Sequence, residues 1–163
     1  MIQDITKEEK LKKFLTERSL PEISVDIIDL ILKGISVFYT VDILPFVDSL
    51  KSLKENYVPT LAQNRQIDFS IGLFMRMNEL EAKIDQDYIK KEEFQTYLSK
   101  CLENIKHELC AEKRLAFQNA LINIATGKMP NNFEKDYFLN QLISLTDLHF
   151  QILTYYHNPI KYI

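Results

Sequence analysis

Cys110-Ala111-Glu112-Lys113-Arg114-Leu115-Ala116-Phe117-Gln118-Asn119-Ala120-Leu121-Ile122-Asn123-Ile124-Ala125-Thr126, followed by Gly127, decides the fold. On a wheel of about 100° per residue, Cys110, Ala120, Leu121 and Ile124 fall within about 60° of Phe117. Leu115 and Ile122 make a second apolar arc, and Glu112, Asn119 and Asn123 share a narrow polar arc between the two. Lys113 and Arg114 flank the main stripe. A helix with apolar residues on two sides belongs at the centre of a bundle. Gly127 ends it as a C-terminal cap, where a left-handed residue is needed.

The flanking segments carry the same period. A helix from about Lys91 to His107 buries Phe94, Leu98, Leu102 and Ile105. Asn131-x-x-Glu134 opens another with Phe138, Leu142 and Leu145 inward, and Thr146 caps a last helix that stops before Pro159. Upstream, Leu73, Met77, Leu80 and Ile84 place a helix from about Leu61 to Ile84. Phe46, Val47, Leu50 and Leu53 follow Pro45 at helical spacing, and Thr6-x-x-Glu9 starts a first helix running to Arg18. Only three glycines occur in 163 residues, too few for a chain of strands and tight turns. The expected fold is therefore all-α, a single domain spanning residues 1–163 and built from about six to eight helices. Its core draws on Ile28, Ile31, Leu32, Ile35, Phe38, Leu50, Phe74, Met77, Phe94, Leu98, Leu102, Phe117, Leu121, Ile124, Phe138, Leu142, Leu145, Leu148 and Ile152.

Ile27 to Val47 is the most apolar stretch, with 14 of 21 residues hydrophobic. Asp29, Lys33 and Asp42 argue against a membrane span, because each central charge costs about 2.5–3.5 kcal/mol to insert. Asp29 and Lys33 are also an i,i+4 pair, as on a solvated helix face. A buried core helix is the preferred reading, ahead of one that lies on a membrane or a partner.

Twenty basic and 23 acidic residues give a net charge of −3, which excludes a strongly basic nucleic-acid binder. Tyr155, Tyr156 and Tyr162 beside Lys161 lack the basic stripe that base stacking requires. Two cysteines, Cys101 and Cys110, and a start (Met1-Ile2-Gln3-Asp4) without a signal peptide point to a reducing, cytoplasmic setting. Glu103, His107 and Cys110 would share a face if one helix ran through them, but no fourth ligand completes a zinc site. His149 reads as a partly buried histidine bonded to Thr146 or a nearby carbonyl, and Arg114 as a tie between helices. No nucleophile stands beside a base, so no catalytic residue, cofactor or metal is assigned.

Lys113, Arg114, Phe117, Asn119, Leu121, Leu142, Leu145, Leu148, His149, Ile152, Leu153, Asn158 and Pro159 carry a resemblance. The pattern, from about Glu92 to Ile160, resembles that of small uncharacterised bacterial all-helical proteins. Those proteins share Glu-x-Lys-Arg, Phe-x-Asn-x-Leu, Leu-x-x-Leu-x-x-Leu-His-x-x-Ile-Leu and a closing Asn-Pro. The resemblance implies a bacterial or phage source and an all-helical fold, and carries over no activity. In such relatives the front segment looks more like a membrane-active hairpin, whereas here it holds Asp29, Lys33 and Asp42.

The leading expectation is a non-enzymatic interaction or assembly module whose partner is a second copy or another protein. The alternatives are a membrane-acting stress or phage-defence effector using residues 27–47, and a ligand binder or enzyme with a polar pocket near Glu112, Asn119, Asn123 and His149.

Overall fold

The computed structural model describes residues 26–37, 43–56, 59–129 and 131–157. The expected helix from Thr6 to Arg18, the core position Phe38 and Asp42 lie outside them. Among the described residues every regular element is helical. They are α1 (Ile27–Val37), α2 (Leu44–Asn56), α3 (Leu61–Glu79), a 3-10 turn (Glu81–Lys83), α4 (Gln86–Ile89), α5 (Glu92–Ile105), α6 (Ala111–Ala125), α7 (Asn132–Ser144) and α8 (Asp147–His157). The multi-helix, all-α expectation is met, with eight α-helices in the described residues.

The Asp26 carboxylate starts α1 by accepting the amides of Ile28 at 3.0 Å and Asp29 at 3.3 Å. Ile27, Leu30, Ile31 and Ile35 are buried, the i, i+3, i+4, i+8 spacing of an amphipathic core helix. On the opposite side Lys33 reaches Asp29 at 2.6 Å in the open. The described part of the apolar run is thus spent largely inside the bundle. No helix of the described residues is long and apolar enough to cross a membrane.

Pro45 sits in the first turn of α2, where its missing amide is harmless, and Phe46, Val47 and Leu50 face inward. The Phe46 ring lies against Gly34 of α1, and a Cβ built on Gly34 would stand 2.0 Å from Phe46 Cζ. We expect Gly34→Ala to destabilise the fold by about 1–3 kcal/mol through overpacking. That loss exceeds the roughly 1 kcal/mol of helix propensity gained. Urea denaturation reads it, and Phe46→Leu in the same chain should return part of the stability. A Gly34→Ala protein as stable as the parent would remove the ring from this position.

α3 begins with a reciprocal cap: the Thr60 hydroxyl takes the Gln63 amide, and the Gln63 side chain takes the Thr60 amide. It runs antiparallel to α2, since Lys54 meets Asp68 at 2.6 Å and the Phe46 and Phe74 rings lie 5.7 Å apart. α3 also packs on α1, α5 and α6. From it, Gln66 Nε2 donates to the Leu102 carbonyl at 3.1 Å and Arg65 Nη1 to that of Lys106 at 2.9 Å. The open C-terminal end of α5 is thereby capped from a neighbouring helix.

α6 is central, as its sequence requires, and touches α3, α4, α5, α7 and α8. Phe117, Ala120, Leu121 and Ile124 are buried as expected. The buried arc is a single broad one, however. It extends through Gln118 and Ala125 to Ile122 and leaves Leu115 half exposed. Cys110 is only the residue that precedes the helix, and Cys101 of α5 is the cysteine in the core.

Three core assignments, on two helices, fail for one reason, a rotated register. In α7 the inward residues are Lys135, Leu139 and Leu142, and Phe138 is 40% exposed. In α8 Leu148 and Ile152 face outward. Ile28, Leu32 and Leu145 pack at the edge of the core and are partly buried. The remaining core residues expected within the described segments are buried.

Candidate interaction surface

The helices are joined by polar contacts whose residues decide what remains available for function. The Lys113 side chain, on α6, is almost fully buried. Its Nζ donates to the Leu145 carbonyl at 2.6 Å and the Ile143 carbonyl at 3.3 Å, and pairs with Glu108 at 2.9 Å. A buried cation thus satisfies carbonyls at the end of α7, where the helix dipole favours positive charge. Burial opposes ionisation of Glu108, but the Cys110 amide and the Lys113 ammonium outweigh it and hold the carboxyl below the usual range. Arg114 does not tie helices together as expected. Its Nη1 donates to the Glu108 and Leu109 carbonyls, both 2.9 Å away in the link before its own helix.

A second joint connects α4, α5 and α7. Tyr88 Oη donates to Glu93 Oε1 at 2.7 Å, while the buried Lys135 Nζ lies 2.9 Å from both oxygens and 4.5 Å from the centre of the Tyr88 ring. The Tyr88 hydroxyl, then the Lys135 ammonium, lower the pKa of Glu93. Burial, then Glu93, push the Tyr88 phenol above its ordinary value. A third joint has Arg76 of α3 donating to Gln118 Oε1 at 3.3 Å and Asn119 Oδ1 at 2.5 Å.

The lowered carboxyls make stability acid-sensitive. Glu93 and Glu108 contribute stability that is present above the ordinary glutamate pKa near 4.3, and it is lost as pH falls through their lower folded-state values. Melting temperature should fall between about pH 5 and 3. The double variant Glu93→Gln/Glu108→Gln should melt lower at pH 7 and change less with acid. An unchanged acid slope in that variant would assign the sensitivity elsewhere.

The four residues grouped in sequence as a polar pocket do not converge. Glu112 lines a cleft of about 270 Å³ with Leu109, Cys110, Ala111, Asp147, Phe150 and Gln151. Asn119, Asn123 and His149 do not line it. Asn119 is held by Arg76, and Asn123 lies a turn beyond it on α6. His149 is exposed on α8, and its Nδ1 accepts the Thr146 amide at 3.0 Å. The Thr146 bond is the expected one, but the burial is not.

Glu103, His107 and Cys110 are not on one helix, because α5 ends at Ile105 and α6 starts at Ala111. Among the described residues no group of three His, Cys, Asp or Glu is placed to hold a metal ion. Burial raises the pKa of both thiols, and Glu112 adds to the effect at Cys110, so neither is activated as a thiolate.

The most unusual surface lies on α8. Phe150 and Asp147 face α6 and the cleft, with Phe150 packed on the core. Around the wheel from them, Tyr155, Leu148, Ile152, Tyr156, His149 and Leu153 span an arc of about 160°. This apolar arc points to solvent, with Leu148 62%, Ile152 44%, Leu153 54%, Tyr155 45% and Tyr156 77% exposed. The helix therefore presents its apolar face to water, the reverse of an ordinary surface helix. Sequence periodicity located the stripe but assigned it to the core, since period alone does not say which way a stripe faces. Comparison with protein-family models, with curated proteins and with solved structures yields no match.

Proposed function

We propose that this protein is a non-enzymatic interaction module that binds other protein through the outward apolar arc of α8. The single observation behind the reading is that arc. At about 200 Å² for a fully exposed large side chain, its five apolar and aromatic residues expose roughly 560 Å² in one continuous strip. A patch of that size is at the upper end for a monomer, and such patches mark contact sites. The apolar stretch 27–47 does not supply this surface. Its helix α1 is largely spent on the core, and the case for association now rests on α8.

A photoreactive residue at position 156, introduced into the full chain and irradiated in a cell extract, should give protein adducts. The same residue at exposed Lys51 on α2 should give none. Absence of any protein adduct from position 156 would overturn the proposal.

A further inference from the structure

We infer that the partner of α8 is α8 of a second copy, packed antiparallel about a two-fold axis through Ile152. This rests on the interaction reading above and names its partner.

The charge of the surface comes first. Between Leu148 and His157 there is no Asp, Glu, Lys or Arg. The arc offers nothing to a charged peptide and lacks the basic residues with which interfacial helices hold anionic lipid. It complements an equally uncharged apolar face, and the same face on a second copy meets that condition. Antiparallel contact also sets the positive N-terminal end of each helix dipole beside the negative C-terminal end of the other.

The order of side chains selects the same arrangement. Ile152 is the midpoint of Asp147–His157. Antiparallel pairing about it sets Ile152 against its own copy and Leu148 level with Tyr156. Small and large residues then alternate across the contact. Parallel pairing would place Leu148 on Leu148 and Tyr156 on Tyr156, leaving a gap at one end and a clash at the other. A two-fold contact of this kind closes on itself and stops at a dimer.

Area sets the strength. Two strips of roughly 560 Å² cap the contact at about 1,100 Å² in total, and a single helix does not cover the whole 160° arc, so the buried area falls below the usual range for a specific interface. The dimer is therefore a weak one, in equilibrium with monomer.

The test uses the full 163-residue chain with Cys110→Ser, since Cys101 is buried. Under mild oxidation Ile152→Cys should form a disulfide dimer by itself. Leu148→Cys and Tyr156→Cys should cross-link when mixed and not when alone. Circular dichroism confirms that each variant is folded. In sedimentation without these cysteines, Ile152→Ser should weaken dimerisation at least about tenfold. A Leu148→Cys chain that cross-links to itself overturns the antiparallel register. A chain that sediments as a monomer at its highest attainable concentration, with no cross-links, overturns the second copy as partner. In that case the adduct from position 156 separates the two claims. A different protein in the adduct leaves the module reading standing and the self-pairing refuted, whereas lipid alone refutes both.

Discussion

Lys113→Ala should cost about 3–5 kcal/mol of folding stability, the range for breaking a buried ion pair by removing one partner. The Glu108 carboxylate would lose its counter-charge, and the Ile143 and Leu145 carbonyls would lose their shared donor. Lys113→Met keeps most of the side-chain volume and should still lose most of that amount, which separates charge from packing. Adding Glu108→Gln to Lys113→Met should recover part of the loss, because the stranded charge disappears while the carbonyls stay unpaired. Urea denaturation of the parent, Lys113→Met, Glu108→Gln and the double variant forms the cycle. A loss below about 1 kcal/mol for Lys113→Ala is the value of an exposed pair, and would place this ammonium in water.

Phe117→Ala should be equally severe, at about 3–5 kcal/mol. Phe117 is fully buried on the helix that contacts five others, so the cavity it leaves has walls that cannot all close in. The adjacent pair Phe138 and Leu139 supplies an internal comparison. Leu139→Ala should cost about 2–5 kcal/mol because Leu139 is fully buried. Phe138→Ala, at a 40% exposed site, should cost clearly less. If Phe138→Ala proves the costlier, the α7 register described above is wrong by one residue.

The helices were legible because their punctuation is local. Asn131 accepts the Glu134 amide at 2.8 Å, Gly127 takes a φ of 71°, and the Thr146 and His149 side chains bond across one turn, each as its sequence position implies. The helix expected to run from Leu61 to Ile84 ends at Glu79 and gives way to the 3-10 turn, and the single turn α4 was missed in the link after it, since elements that short have no period to detect.

The polar joints were less legible. Lys113 lies within about 40° of Phe117 on the wheel, and Lys135 stands four residues before Leu139. Both are cations in register with apolar residues, a signal present in the sequence. The partners that make their burial tolerable come from positions 5 to 47 residues away. Burial of an ammonium is thus a tertiary property, decided by carbonyls and carboxylates that no local pattern reveals. The α8 surface escaped for the opposite reason: its stripe is clear, but facing inward or outward depends on whether a neighbour has room left for it.

The Lys113 ammonium also has a bearing on recognition. It grips the Leu145 carbonyl two residues before α8 begins, so the bearing of that helix is set from inside the bundle. That bond and the Phe150 side chain packed on the core are two of the anchors of α8. On the reading proposed above, loosening the hold on one backbone oxygen weakens association as well as folding, so the company the molecule keeps follows the integrity of its interior.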